Sequence, residues 1–299
     1  MLRLLAFLAA GLLAACAAPP PSPAPVPTPP EPVVAPRKPV RIALALGGGA
    51  ARGFAHVGVI KALEVQGIVP DIVVGTSAGS VVAALYASGM SGFDLQKVAL
   101  QMEESMVADW TLPNRGVLKG EALQTFINQR VGNRPIQQLP RPLGVVATDL
   151  QNGESVLFRR GDTGMAVRAS SAVPGMFQPV EIGGRDYVDG GLTSPVPAQF
   201  ARSMGADFVI AVDISNVARR ARLTGTLDVL LQTFSIMGHA IGRHELADAD
   251  LVIRPKTAAV GSTDFAGRHL AIMEGEKAAV LVMPELKARL ERARESGGR

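Results

Sequence analysis

Apolar and polar positions along this chain form two patterns that alternate. Short solid apolar runs end in glycine, and longer stretches carry apolar residues at helical spacing. Arg41 to Leu46 (R-I-A-L-A-L) runs into Gly47, and Ile72-Val73-Val74 runs into Gly75. Runs of this length bounded by glycine read as buried strands. Phe54 to Gln66 places Val57, Ile60 and Leu63 on one helical face, and Val81 to Ala87 predicts a second helix. Further strands are predicted at Gly144–Thr148, Arg185–Val188, Phe208–Val212 and Leu251–Arg254. Further helices are predicted at 93–110, 227–246 and 271–290. Strands alternating with helices predict an α/β fold, a central mostly parallel sheet between helical layers in a three-layer sandwich. The pattern begins at Val40 and runs to the end without an internal repeat, so residues 40–299 read as one folded domain.

The first 39 residues break this pattern. Arg3 precedes an apolar stretch, Leu4 to Leu13, that is too short to span a bilayer. Leu13-Ala14-Ala15-Cys16 resembles a bacterial lipobox, which implies a signal peptide over 1–15 and a lipidated Cys16 at the mature N-terminus. An ordinary secretory peptide with a leftover thiol is the alternative. Cys16 is the only cysteine, so no intramolecular disulfide can form. Residues 17–39 are mostly proline and alanine, a composition that favours extended polyproline II over packing. Residues 16–39 therefore read as a lipidated cysteine and a linker that holds the domain off a membrane. Ala17, where an aspartate would signal inner-membrane retention in enteric bacteria, points to outer-membrane residence facing the periplasm or the surface. The net charge is +4, basic residues are scattered and aromatics make up 4% of the chain, so no nucleic-acid footprint is present.

Three turns carry candidate chemistry. The first is Gly75-Thr76-Ser77-Ala78-Gly79, between a strand and a helix. A serine on such an elbow is held in a strained backbone with its hydroxyl exposed at a helix N-terminus, where the dipole favours developing negative charge. Gly75 and Gly79 fit because a Cβ there would crowd the turn. The second is Gly47-Gly48-Gly49-Ala50-Ala51-Arg52-Gly53, again between strand and helix. Successive N–H groups on such a loop suit an anion. A dinucleotide fingerprint fails because Arg52 stands where its third glycine belongs, and a Walker loop fails for want of Gly-Lys-Ser/Thr. An oxyanion hole is left, with the two turns at the carboxyl ends of neighbouring parallel strands. The third is Asp189-Gly190-Gly191, which by itself reads as a turn.

Taken in order, G-G-G-A-A-R-G, G-T-S-A-G and D-G-G resemble the patatin-like phospholipase family. So do the segments A-S-S-A-V-P-G-M-F-Q-P at 169–179 and D-G-G-L-T-S-P-V-P from Asp189. The resemblance covers roughly residues 40–215. It implies a patatin-like fold and a Ser-Asp dyad, with Ser77 as nucleophile and Asp189 as general base. It implies an oxyanion hole from the loop of Gly48, Gly49 and Ala50, with Arg52 holding that loop. The substrates it implies are acyl esters, phospholipids among them, without metal or other cofactor.

Two other readings stay open on the residues alone. A Ser-Asp-His triad of the α/β-hydrolase order could use His239, His244 or His269. A non-catalytic envelope lipoprotein could use the same pocket to bind lipid or a partner. His56 reads as a core-lining residue. His239 and His244 are not at the i, i+4 spacing that would ligate a metal from one helix face. Asp149 reads as a turn residue, and Ser170 and Ser171 as loop hydrogen-bonders. Met102, Met106 and Trp110 read as core packing, with an apolar lid as the alternative.

Overall fold

A computed structural model describes residues 39–103, 109, 117–215, 225–261 and 264–296, the side chains of 226–228 excepted. Residues 1–38, with the expected signal peptide, Cys16 and all but the last residue of the expected linker, lie outside the described residues. These residues build β1 (Ile42–Leu46), α1 (Phe54–Val65), β2 (Ile72–Thr76), α2 (Ala78–Ala87), α3 (Gly92–Gln101) and α4 (Glu121–Arg130). Next come β3 (Leu143–Asp149), β4 (Ser155–Phe158), α5 (Thr163–Ser170), β5 (Val180–Ile182) and β6 (Arg185–Asp189). The last elements are α6 (Ala198–Ser203), β7 (Phe208–Val212), α7 (Thr226–Glu245), β8 (Leu251–Ile253) and α8 (Arg268–Glu295).

The eight strands form one sheet in the order β5-β6-β3-β2-β1-β7-β8, with β4 also paired to β3. Strands β3, β2, β1, β7 and β8 are parallel, and the pairings β3–β4, β3–β6 and β6–β5 at one end are antiparallel. Every residue of β1, β2 and β7 is buried, which is why these strands read as solid apolar runs and do not alternate. Alternation survives in size. Leu44 and Leu46 of β1 join the core under α1, α2 and α8, whereas Ala43 and Ala45 face α6 with Ala198 and Ala201. The large side chains fill the thick helical layer, and the small ones let the short helix α6 lie close to the sheet.

The long helix α8 packs on α1 by direct backbone approach. A Cβ on Gly58 would lie 1.9 Å from the Ile272 carbonyl oxygen, and one on Gly275 would lie 2.0 Å from that of Ala55. Helix α3 starts on a capping box, with Ser91 Oγ accepting from the Asp94 amide and Asp94 accepting from the Ser91 amide. One expectation is corrected here. The helix predicted over 93–110 stops at Gln101, because Met102 turns to extended backbone at φ −73°, ψ 121°. Met106 and Trp110 lie outside the described residues. Asp149 ends β3 as a turn residue, accepting from the Gln151 amide at 2.9 Å and pairing with Arg185 at 2.6 Å.

Candidate active site

Sheet register sets the site. Leu46 of β1 pairs with Gly75 of β2, so the glycine loop after β1 and the turn after β2 leave the sheet side by side. On the other side of β2, Val146 pairs with Thr76, and the next residue, Ala147, pairs with Asp189 of β6. Three turns, the last more than a hundred positions beyond the first two, thus open at one end of the neighbouring strands.

Ser77 sits on the elbow at φ 52°, ψ −126°, as N-cap of α2. A non-glycine residue in the left-handed region is strained, and the surroundings must hold it there. Here they do. Ser170 Oγ accepts from the Ser77 amide at 2.8 Å while donating to Val146 O, and Ser80 Oγ donates to Ser77 O at 2.7 Å. The glycines make the elbow possible by closeness. A Cβ on Gly79 would lie 2.1 Å from Leu46 O, and one on Gly75 would lie 2.4 Å from Gly79 O.

Ser77 Oγ donates directly to Asp189 Oδ2 at 2.6 Å. Asp189 Oδ1 accepts from the Gly191 amide at 2.7 Å. Gly190 lies so near β3 that a Cβ there would approach Val146 O to 2.3 Å. Both Ser77 and Asp189 are buried, at 9% and 1% exposure. Desolvation pushes the Asp189 carboxyl up to about 6, with the Ser77 and Gly191 hydrogen bonds opposing it.

The glycine loop is tied at both ends. The Gly47 amide donates to Val212 O at 3.0 Å, and His56 Nε2 meets Gly47 O at 2.8 Å. His56 is fully buried, and desolvation lowers its imidazole to about 4, so it is the neutral ring that donates there. The Gly48 amide donates to Pro195 O at 2.9 Å. Within the loop of Gly48, Gly49 and Ala50 the Gly48 N–H is thus committed, and a Cβ on Gly48 would sit 3.2 Å from Ser77 Cβ. The amides of Gly49 and Ala50 donate to no acceptor among the described residues. Ala50 stands at φ 51°, a second strained residue beside Ser77. Arg52 Nε donates to Gly49 O at 3.0 Å. A planar trans peptide points its N–H opposite its C=O, so this bond also fixes the direction of the Ala50 N–H.

Two cavities meet at Ser77. One, of about 220 Å³, is walled by apolar side chains including Phe54, Val82, Leu95, Leu123 and Phe265. The other, of about 150 Å³, holds Gly49, Ala50, Arg52, Asp189 and the α7 residues Phe234 and His239. Ala50, Val173 and Met176 line both.

The histidines do not complete a triad. Asp189 reaches Ser77 without an imidazole between them. His239 lines the smaller cavity, but its Nδ1 lies 3.3 Å from Ser215 Oγ, and His244 and His269 are exposed. Residues that pattern alone did not single out also hold the site. Thr76 Oγ1 donates to Ser194 O at 2.8 Å, and Thr148 Oγ1 donates to Asp189 O at 2.9 Å. Buried Glu245 holds the loop after Asp189. Its one signal in sequence is that Gly238, Gly242 and Glu245 share a face of α7.

The profile of the patatin-like phospholipases matches residues 44–202, more than half of the chain. An uncharacterized NTE family protein of Mycobacterium tuberculosis is 40% identical over 177 residues, spanning 58% of this chain and 49% of that protein. Patatin-like phospholipase domain-containing protein 6 of mouse is 38% identical over 183 residues, 58% of this chain and 14% of the longer protein. The chain thus aligns with half or less of the length of these relatives. Among solved structures, VipD of Legionella pneumophila is similar in fold, with a TM-score of 0.56, 14% identity, and coverage of 83% of this chain and 67% of that one.

Proposed function

The chain belongs to the patatin-like phospholipase family, and from that premise we propose that it hydrolyses acyl esters of lipids through a Ser77–Asp189 dyad. The observation that carries this reading is the 2.6 Å bond from Ser77 Oγ to Asp189 Oδ2, on a strained elbow between an apolar cavity and a loop with free amides. Asp189 takes the hydroxyl proton as Oγ attacks the ester carbonyl carbon. The carbonyl oxygen becomes an oxyanion and meets the N–H groups of Gly49 and Ala50, with the α2 dipole adding to their field. Collapse expels the alcohol, which takes the proton from Asp189 and leaves an acyl-serine. Water then attacks the acyl carbon, Asp189 accepts its proton, and the proton returns to Ser77 as the acid departs. The acyl chain occupies the apolar cavity and the alcohol portion the smaller one.

Labelling with a fluorophosphonate tests the nucleophile whatever the natural ester. Native protein is expected to label at Ser77, and Ser77→Ala to lose both label and ester turnover, the latter by about four to six orders of magnitude. Label persisting in Ser77→Ala overturns the assignment. A pure binding role predicts no labelling of the native protein, and a triad predicts loss of turnover in His239→Ala.

For the cellular setting we propose a lipoprotein of a bacterial envelope. Leu13-Ala14-Ala15-Cys16 and the proline-rich stretch after it support lipidation at Cys16 and a membrane-held domain.

A further inference from the structure

The segment after Asp189 lies against α7. A Cβ on Gly238 would sit 3.6 Å from Gly191 O, and one on Gly242 would sit 3.6 Å from Pro195 and Val196 side-chain atoms. One turn further on, at the last residue of α7, the Glu245 carboxylate takes hold of this segment. Oε1 accepts from Ser194 Oγ, and Oε2 accepts from the Val196 amide at 2.8 Å. Two carbonyls of this segment, those of Ser194 and Pro195, face the site. Ser194 O accepts from Thr76 Oγ1 at 2.8 Å, next to the nucleophile, and Pro195 O accepts from the Gly48 amide at 2.9 Å, next to the Gly49 and Ala50 amides. Ser194 N returns to Gly190 O at 2.8 Å, closing the segment onto the turn of Asp189.

We propose that Glu245 is a positioning residue of this site: by gripping Ser194 and Val196 it fixes the carbonyls that hold the glycine loop and the nucleophile turn in register. The proposal rests on the Ser77–Asp189 reading above. Glu245 lines neither cavity at Ser77, so it acts through the segment and not on substrate. It is 7% exposed and no cation pairs with it among the described residues. Burial pushes its carboxyl up to about 7. A buried carboxyl without a counter-ion is a costly way to stabilise a helix end. Two oxygens accepting from donors on residues two apart in the chain fix the geometry of the loop between them.

The test is kinetic, on a short-chain soluble ester. Glu245→Ala frees both donors and is expected to lower kcat about 100-fold, the scale of a misplacement near 1 Å, with KM within about twofold. Glu245→Gln is expected to restore kcat to within about fivefold, because its amide oxygen accepts from the Val196 N–H and its NH2 donates to Ser194 Oγ. Glu245→Asp keeps the charge but is one methylene short of both donors, and is expected to behave like Ala; it carries the test should Glu245→Ala not fold. A folded Glu245→Ala or Glu245→Asp variant with native kcat and only a lowered unfolding temperature overturns the proposal. Fluorophosphonate labelling of native protein separates the two readings. If Ser77 labels natively and kcat ignores Glu245, only the positioning role falls. If Ser77 does not label, the dyad falls and the proposal with it.

Discussion

Asp189 is asked to be an anion in a place where an anion is unfavourable. Burial pushes its carboxyl from 3.8 to about 6, against the pull of the Ser77 and Gly191 donors. For catalysis this is an advantage, since a base that binds its proton more tightly accepts one more readily near neutral pH. The expected outcome is an acid limb in kcat/KM with an apparent pKa near 6, measured on an uncharged ester; a profile flat down to pH 5 would show that some other group is the base. For stability the sign is the reverse. The folded state binds the Asp189 proton more tightly than the unfolded chain, so its contribution is harmless below about pH 4 and becomes unfavourable as pH rises through about 6. At about 1.4 kcal/mol per unit the ionised carboxylate costs up to about 3 kcal/mol above pH 6. Asp189→Asn keeps an acceptor for the Gly191 amide and is expected to abolish turnover while raising the unfolding temperature at pH 8. That gain is expected to vanish near pH 4, and equal unfolding temperatures of the two proteins at pH 8 would contradict the argument.

Between elements, the tightest fit is the crossing of α1 and α8. Gly58 and Gly275 put helix backbone against helix backbone, and α1 follows directly from the glycine loop. Gly275→Ala brings two opposed effects. Alanine favours a helix over glycine by up to about 1 kcal/mol. Against this, its Cβ would fall 2.0 Å from the Ala55 carbonyl oxygen, and a backbone atom cannot rotate away. Overpacking of this kind costs about 1–3 kcal/mol, so the packing loss wins. The expected result is an unfolding temperature lowered by several degrees, at about 2–4 °C per kcal/mol for a domain of this size. An unchanged or higher value would mean the helices separate without cost. The pattern of apolar residues located these helices but not their closeness. It also passed over α4, α5 and α6. Helix α6 is only six residues long and follows Pro197, too short to show a period.

The described domain is a single sheet with helices on both faces, and every residue named in the site lies within it. The proposed lipidation of Cys16 and the proposed chemistry are tested separately. Cys16→Ser is expected to block lipidation and release the protein from the membrane fraction, with turnover of a soluble ester unchanged; mass spectrometry of the mature N-terminus checks it. An unmodified thiol at Cys16, or cleavage elsewhere, would remove the anchor and leave the hydrolase reading intact. The sequence by itself determined the strands that are buried on both faces, the elbow around Ser77 and the glycine loop, because each is a local pattern whose physics needs only a few neighbouring residues. It could name Asp189 only through resemblance, since Asp-Gly is an ordinary turn until β6 brings it beside β3. Only the tertiary structure decided which partner Ser77 meets, a carboxylate at 2.6 Å and not an imidazole. Only the tertiary structure showed that the Gly48 amide is already taken by Pro195, and that Glu245 grips the segment that takes it. Those contacts join positions dozens to more than a hundred residues apart, and no local period records which distant donor a carbonyl will meet when the sheet closes.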